Sequence, residues 1–178
     1  FIVQVDVTDN GKGQLVAAVT GTGSIANGYS VTPAASDPPV YKTVTGNPSK
    51  DATFSFTLTP ESAAYPMPEG SENGVKTTSI TGSGSSEFGS ITFAAPGTYT
   101  YTVAEVKGDA SGYEYATNVH TLTYGVTDNG DGTLAVSRSI DGEENAADNA
   151  ASFTNKYSAS GTVDTDAEGS AFLTKAYS

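Results

Sequence analysis

The chain has 178 residues and a net charge of −12, from 20 acidic against 8 basic side chains. That balance argues against nucleic acid and against an anionic membrane surface, both of which call for basic patches. There is no cysteine, which excludes disulfides, zinc–thiolate sites and thiol catalysis, and no apolar run approaches the roughly 20 residues that span a bilayer.

Glycine (20) and tyrosine (10) are abundant and tryptophan is absent. Apolar residues alternate with period two almost throughout, and no stretch shows helical periodicity. The composition is that of an all-β protein. The chain begins at Phe1 with neither an initiator Met nor a signal peptide, and reads as an excerpt from a longer polypeptide.

In residues 1–29, Val3, Val5 and Val7 alternate, Thr8-Asp9-Asn10-Gly11-Lys12-Gly13 turns, and Leu15 and Val16 resume. Asn-Gly between alternating runs is a strong hairpin signal. Ile25-Ala26-Asn27-Gly28-Tyr29 is predicted as a third, short strand. Residues 30–39, with Pro33, Pro38 and Pro39, read as a short stiff linker. Val40-Tyr41-Lys42-Thr43-Val44 follows as a strand. Phe54, Phe56 and Leu58 line one face of the next, which Pro60 ends. Residues 60–78 read as a long polar loop, 79–84 as a strand running into the turn Gly82-Ser83-Gly84-Ser85-Ser86. Phe88 to Phe93 leads through Ala95-Pro96-Gly97 into the strand Tyr99-Thr100-Tyr101-Thr102-Val103-Ala104-Glu105. A second loop covers 107–115. Leu122, Tyr124 and Val126 then alternate, Thr127-Asp128-Asn129-Gly130-Asp131-Gly132 turns, Leu134 and Val136 resume, and Phe153-Thr154-Asn155-Lys156-Tyr157 closes the set.

The opening order thus returns. The turn recurs after 119 residues (127 − 8), the asparagine after 128 (155 − 27), and Leu173-Thr174-Lys175-Ala176-Tyr177 echoes the Lys42 strand after 133 (175 − 42). Three markers at similar spacing indicate tandem domains. The chain parses as the C-terminal strands of a preceding repeat (1–29), a linker (30–39), one complete repeat (40–157), a Gly/Ser/Asp-rich linker (158–170) and the first strand of a next repeat (171–178). Seven or so short strands separated by turns predict an immunoglobulin-like β-sandwich.

Three strands carry one polar residue on an otherwise apolar face. Side chains alternate along a strand, so Lys42 shares its face with Val40 and Val44, Glu105 with Tyr99, Tyr101 and Val103, and Asn155 with Phe153 and Tyr157. Each alone is compatible with a strand end that reaches solvent. Together, an amine, a carboxyl group and a carboxamide facing one core are the parts of a self-forming amide crosslink.

In this order, Tyr41-Lys42-Thr43-Val44-Thr45-Gly46, Phe54-Ser55-Phe56-Thr57-Leu58, Pro66-Met67-Pro68-Glu69-Gly70, the run from Gly97 to Glu105, the stretch Val126 to Leu134, and Phe153 to Tyr157 resemble the streptococcal pilin isopeptide-linkage domain of Gram-positive pilus shafts and surface adhesins. The resemblance covers essentially all of 40–157. It implies that Lys42 is the amine, Asn155 the amide and Glu105 the assisting acid, a proton relay. It also implies that Asn27 and Lys175 are the equivalent amide and amine of the flanking repeats. It further implies an extracellular protein anchored to the cell wall by sortase, with neighbouring repeats and other pilin subunits as partners. The chain shows no sortase sorting signal and no obvious pilin motif.

The implied reaction is a transamidation. The Lys42 amine attacks the Asn155 side-chain carbonyl and ammonia leaves. A free lysine is protonated at neutral pH, and burial among Val40, Val44, Phe153 and Tyr157 is expected to favour the neutral nucleophile. Glu105 is expected to hydrogen-bond the Asn155 carbonyl and relay protons to the leaving ammonia. The step happens once per molecule, so the chain is read as self-modifying and not as an enzyme, with no cofactor and no metal. Asn27 and Lys175 are expected to stay unlinked within this chain.

Other signals are weaker. Asp128-Asn129-Gly130-Asp131-Gly132 resembles part of a calcium loop, but the earlier copy carries Lys12 where this one has Asp131, and a hairpin turn is the simpler reading. His120, the single histidine, is expected on the solvent face of its strand. The alternative function is a ligand-binding adhesin domain that recognises host glycan or protein through loops 60–78 and 107–118, with Tyr65, Tyr113 and Tyr115 as contact aromatics.

Overall fold

The computed structural model describes residues 3–21, 23–144 and 150–160. The chain divides into two units, Phe1–Ser30 and Val31–Ser178.

The first unit is a hairpin of β1 (Gln4–Asp9) and β2 (Leu15–Thr20), paired so that Val7 faces Ala17 and Asp9 faces Leu15. The turn closes because short polar side chains bond to the backbone ahead of them: Gly11 N–H donates to Asp9 Oδ1 (2.8 Å) and Lys12 N–H to Asn10 Oδ1 (2.9 Å). Two strands enclose no core, and every residue of the hairpin strands is exposed. The third strand expected at Ile25–Tyr29 does not form. Its apolar pattern has no buried face to join, Ile25 is 78% exposed, and Asn27 is exposed as well.

The second unit holds β3 (Ala34–Ser36), β4 (Pro39–Thr45), β5 (Thr53–Pro60), β6 (Lys76–Thr81), β7 (Gly84–Glu87), β8 (Ile91–Phe93), β9 (Gly97–Val106), β10 (Tyr113–Glu114), β11 (Val119–Asp128), β12 (Leu134–Ile140), β13 (Glu143–Glu144) and β14 (Ala151–Tyr157). A four-stranded sheet runs β10-β14-β4-β7, a six-stranded sheet runs β13-β12-β11-β9-β5-β6, and β3 pairs with β8. All pairings between these strands are antiparallel except β14 with β4, which is parallel. The molecule is all-β, as the alternation predicts.

The two large sheets bury their inner faces in one core. Val40, Ala151 and Phe153 come from the smaller sheet, and Phe54, Phe56, Leu58, Tyr101, Val103, Leu122 and Tyr124 from the larger. The Phe56 and Phe153 rings meet across it, with centroids 5.3 Å apart. Tyr101 is fully buried and gives its hydroxyl to Pro66 O (2.8 Å), which ties the long loop after β5 to the core. Burial pushes the Tyr101 phenol well above the ordinary tyrosine value and raises that of Tyr124.

Two segments differ from expectation. Residues 30–39 are not merely a linker, because Ala34–Ser36 pairs with Ile91–Phe93 and Thr32 bridges Thr133. The prolines flank this short edge strand and do not interrupt it, a position where a missing N–H costs no ladder bond. The Gly/Ser run at 82–86 turns only at its start. Gly84–Glu87 is a strand laid on β4, where small side chains suit an edge. The two hairpins share a register: β11 and β12 pair Val126 with Val136 and Asp128 with Leu134, each 119 positions after the corresponding pairs of β1 and β2.

Candidate functional site

β4 and β14 lie side by side and parallel, with Lys42 opposite Phe153 and Val44 opposite Asn155. Lys42 and Asn155 therefore point to the same inner face from diagonal positions on neighbouring strands. Glu105 arrives from the facing sheet, at the point of β9 where it pairs with Phe56 of β5. Three residues from three strands thus meet in the middle of the core.

They meet in contact. Lys42 Nζ lies 2.8 Å from both Oε1 and Oε2 of Glu105. Asn155 Nδ2 donates to Glu105 Oε1 at 2.7 Å. The Lys42 and Glu105 side chains have no solvent exposure, and Asn155 has none either. These are the groups that the sequence picks out, and the structure brings them together. One expected contact differs. Glu105 is placed against the amide nitrogen of Asn155, and the amide oxygen instead accepts the backbone N–H of Ala116 at 2.7 Å.

The surroundings are apolar and aromatic. Lys42 Nζ stands 4.6 Å from the Phe54 ring centroid and 5.9 Å from that of Phe56. Burial lowers the Lys42 pKa below its ordinary 10.5, against the opposing pull of Glu105. A buried ion pair is a poor source of stability, since its desolvation cost rivals its Coulomb attraction. Placing an amine against a carboxyl group and a carboxamide in a dry core makes sense as chemistry.

The C-terminal end of the site is held by close approaches. Gly46, just after β4, has φ +83°, and a β-carbon there would fall 2.3 Å from the Tyr157 carbonyl oxygen. On the other side of β14, Tyr113 and Glu114 of β10 pair with Tyr157 and Lys156. Tyr113 packs on Phe54 and Tyr157, with centroids 5.3 and 4.9 Å away, and Tyr115 on Phe54 at 5.9 Å. Tyr65 packs against Tyr99 and Tyr101. The aromatics expected to contact a ligand are half-buried against the core, and Tyr113 and Tyr115 also line a surface pocket together with Lys107 and Thr117.

Asn27 lies in the first unit, and Lys175 lies outside the described residues. His120 is not on a solvent face. Its side chain is 16% exposed, its ring meets Phe153 edge-on at 5.0 Å, and Nδ1 is 2.6 Å from Asp141 Oδ2. It shares the parity of Leu122 and Tyr124, and so caps the end of their buried row. In the second hairpin turn the carboxylates are engaged locally. Asp128 accepts Gly130 N–H (2.8 Å), and Asp131 accepts Thr133 N–H (3.0 Å), as a hairpin turn requires.

Comparison with known proteins follows this geometry. The profile of FctA, described as the Spy0128-like isopeptide containing domain, matches residues 38–158. No curated protein matches significantly. Similar solved structures include the major pilin of Streptococcus pyogenes (18% identity, TM-score 0.43, covering 68% of this chain and 50% of that one). They also include the T3.2 major pilin of that organism (19%, 0.47, 69% and 54%) and its T-13 counterpart (17%, 0.48, 71% and 54%). The chain spans about half the length of these pilins.

Proposed function

The chain belongs to the FctA family of Spy0128-like isopeptide containing domains, a structural family and not one of enzymes, and from that premise we propose that residues 40–157 form a tension-bearing segment of a bacterial surface pilin or adhesin, closed by a Lys42–Asn155 isopeptide bond. The observation that carries this reading is the contact of Lys42, Glu105 and Asn155 inside the core, at 2.7–2.8 Å.

Burial favours the neutral, nucleophilic amine of Lys42. Glu105 touches both nitrogens of the exchange, the one that arrives and the one that leaves. A carboxyl group so placed takes a proton from Lys42 and passes one to the departing ammonia. Fixed contact supplies high effective molarity, so no activated donor is needed. The reaction runs once and consumes its own groups.

The mechanical consequence follows from topology. β4 opens the matched region, β14 closes it, and they are adjacent and parallel. A load entering before Lys42 and leaving after Asn155 would pass through the new bond, and the intervening chain would carry none. The bond closes a loop of 113 residues (155 − 42). By analogy with a disulfide this restricts the unfolded chain by about 4–5 kcal/mol, without sensitivity to reductants.

The same reading makes residues 1–29 the closing hairpin and amide strand of another copy, which the shared register of the two hairpins supports. Asn27 and Lys175 are then the amide and amine of flanking domains. Sortase-dependent anchoring to the cell wall and partnership with other pilin subunits belong to this proposal. A ligand-binding adhesin role through the loops is the alternative reading, with Tyr113 and Tyr115 half-buried at a surface pocket. Intact mass tests the reading: the folded chain lacks one ammonia relative to its sequence, and Asn155→Ala retains its full mass.

A further inference from the structure

The Glu105 carboxyl sits on the nitrogen side of the Asn155 amide, accepting from Nδ2 through Oε1. From there it cannot also stabilise charge on the amide oxygen, which lies on the other branch of the same planar group. Addition of an amine to an amide places a full negative charge on that oxygen. In a dry core such a charge needs a fixed donor.

Among the described residues one such donor is present. Ala116 N–H points at Asn155 Oδ1 with N···O 2.7 Å, and Asn155 is wholly buried. We propose that the backbone N–H of Ala116 is the oxyanion donor of the crosslinking step. This rests on the crosslinking reading above and divides the work between two groups. Ala116 polarises the carbonyl and holds the tetrahedral oxyanion, while Glu105 moves the protons.

The step balances as follows. A proton passes from the Lys42 ammonium to the Glu105 carboxylate. The freed Nζ lone pair forms a bond to Asn155 Cγ, and the carbonyl π pair moves onto Oδ1, against Ala116 N–H. Glu105 gives its proton to Nδ2 and takes one from Nζ. The oxygen pair re-forms the carbonyl as the Cγ–Nδ2 bond breaks. The products are a secondary amide, ammonia and a protonated Glu105 side chain. No oxidant, metal or co-reactant is needed.

The loop that bears Ala116 is built for fixed placement. Tyr113↔Tyr157 and Glu114↔Lys156 pairing carries it along β14 to the level of Asn155. Ser158 N–H donates to Gly112 O (2.9 Å), and Gly112, at φ +83°, sits where a β-carbon would come within 2.7 Å of the Tyr157 ring. Tyr115 OH accepts Ala110 N–H (3.2 Å), and its ring backs Phe54, the ring that stands over Lys42. The donor and the Tyr115 ring that backs Phe54 therefore belong to one stapled segment. Preorganisation of this kind is what makes an oxyanion donor effective.

The test replaces the Ala116 peptide N–H with an ester oxygen, using the α-hydroxy analogue of alanine at that position. Crosslinking after folding from denaturant is followed by intact mass. The expected result is a slowing of about 10²–10³-fold for the ester chain relative to the parent. Equal rates for the ester and parent chains overturn the proposal. A second measurement does not depend on the ester folding: a scalar coupling across the hydrogen bond from Ala116 ¹⁵N to the Asn155 side-chain carbonyl ¹³C in the folded parent. Its presence is expected, and its absence overturns the assignment. If the parent itself never loses ammonia, the crosslinking reading fails. If the parent crosslinks and the ester chain keeps pace, only the role of Ala116 fails.

Discussion

Asn155 lies two residues beyond the position on β14 that faces Lys42 on β4, and both side chains enter the core between the same two sheets. In a parallel pair this diagonal puts both side chains on one face of the sheet. Glu105, on the opposite sheet, closes the gap from the other side with contacts of 2.7–2.8 Å.

Breaking the three-residue contact at different points has unequal costs. Asn155→Ala loses the crosslink but keeps the Lys42–Glu105 ion pair, so it is expected to lose about 4–5 kcal/mol of stability. Lys42→Ala loses the crosslink and also leaves the Glu105 carboxyl buried without its cation. It is expected to lose about 3–5 kcal/mol more. Urea unfolding of the two variants measures the order. The ion-pair argument fails if Lys42→Ala is the more stable.

Glu105→Gln keeps the shape of the side chain but removes the group that accepts and returns protons. The variant is expected to fold, to keep its full mass, and to crosslink at least about 10²-fold more slowly than the parent. Mass spectrometry over days at neutral pH follows the reaction. A Glu105→Gln chain that loses ammonia as fast as the parent removes Glu105 from the mechanism.

The buried amine gives a pH signature in the uncrosslinked protein. Burial lowers the Lys42 pKa below 10.5 in the folded state, so between that lowered value and 10.5 the unfolded chain binds the extra proton. Stability then rises with pH across this window and is flat below it. Asn155→Ala is expected to show the rise relative to the double variant with Lys42→Ala, which has no amine there. Tyr101 and Tyr124 titrate alike in both and cancel. Equal alkaline slopes for the two chains contradict a lowered Lys42.

On the acid side, Asp141 is partly desolvated, which pushes its carboxyl up, but the Thr121 N–H and His120 together hold it below the ordinary 3.8. Its contribution is present above 3.8 and is lost as pH falls through the lowered value. Asp141→Asn is expected to flatten this part of the acid unfolding curve and to loosen the His120 ring on Phe153, seen as a shift of the Phe153 ring resonances. An unchanged acid profile contradicts the clasp.

Much of this was legible in the sequence because strand alternation is strict. Lys42, Glu105 and Asn155 each break an apolar row, and each row is buried as its parity requires. The hairpin turns at Asp9 and Asp128 declare themselves through Asx bonding to the backbone ahead. Segments whose state depends on a distant partner were not legible. Ala34–Ser36 becomes a strand because Ile91–Phe93 lies beside it, and Gly84–Glu87 because β4 does. Ile25–Tyr29 has the pattern of a strand but no inner face to join. His120 follows the parity of Leu122, which a reading of it as simply polar overlooks. Ala116 left no trace at all, because what it offers is a backbone N–H, and only the fold decides where that points.

The most direct measurement is the intact mass of the folded chain, followed by digestion and sequencing of the peptide that carries Lys42. The expected result is a mass one ammonia below the sequence value and a branched peptide joining Lys42 to Asn155. A chain at its full sequence mass, with Lys42 and Asn155 in separate linear peptides, would contradict it.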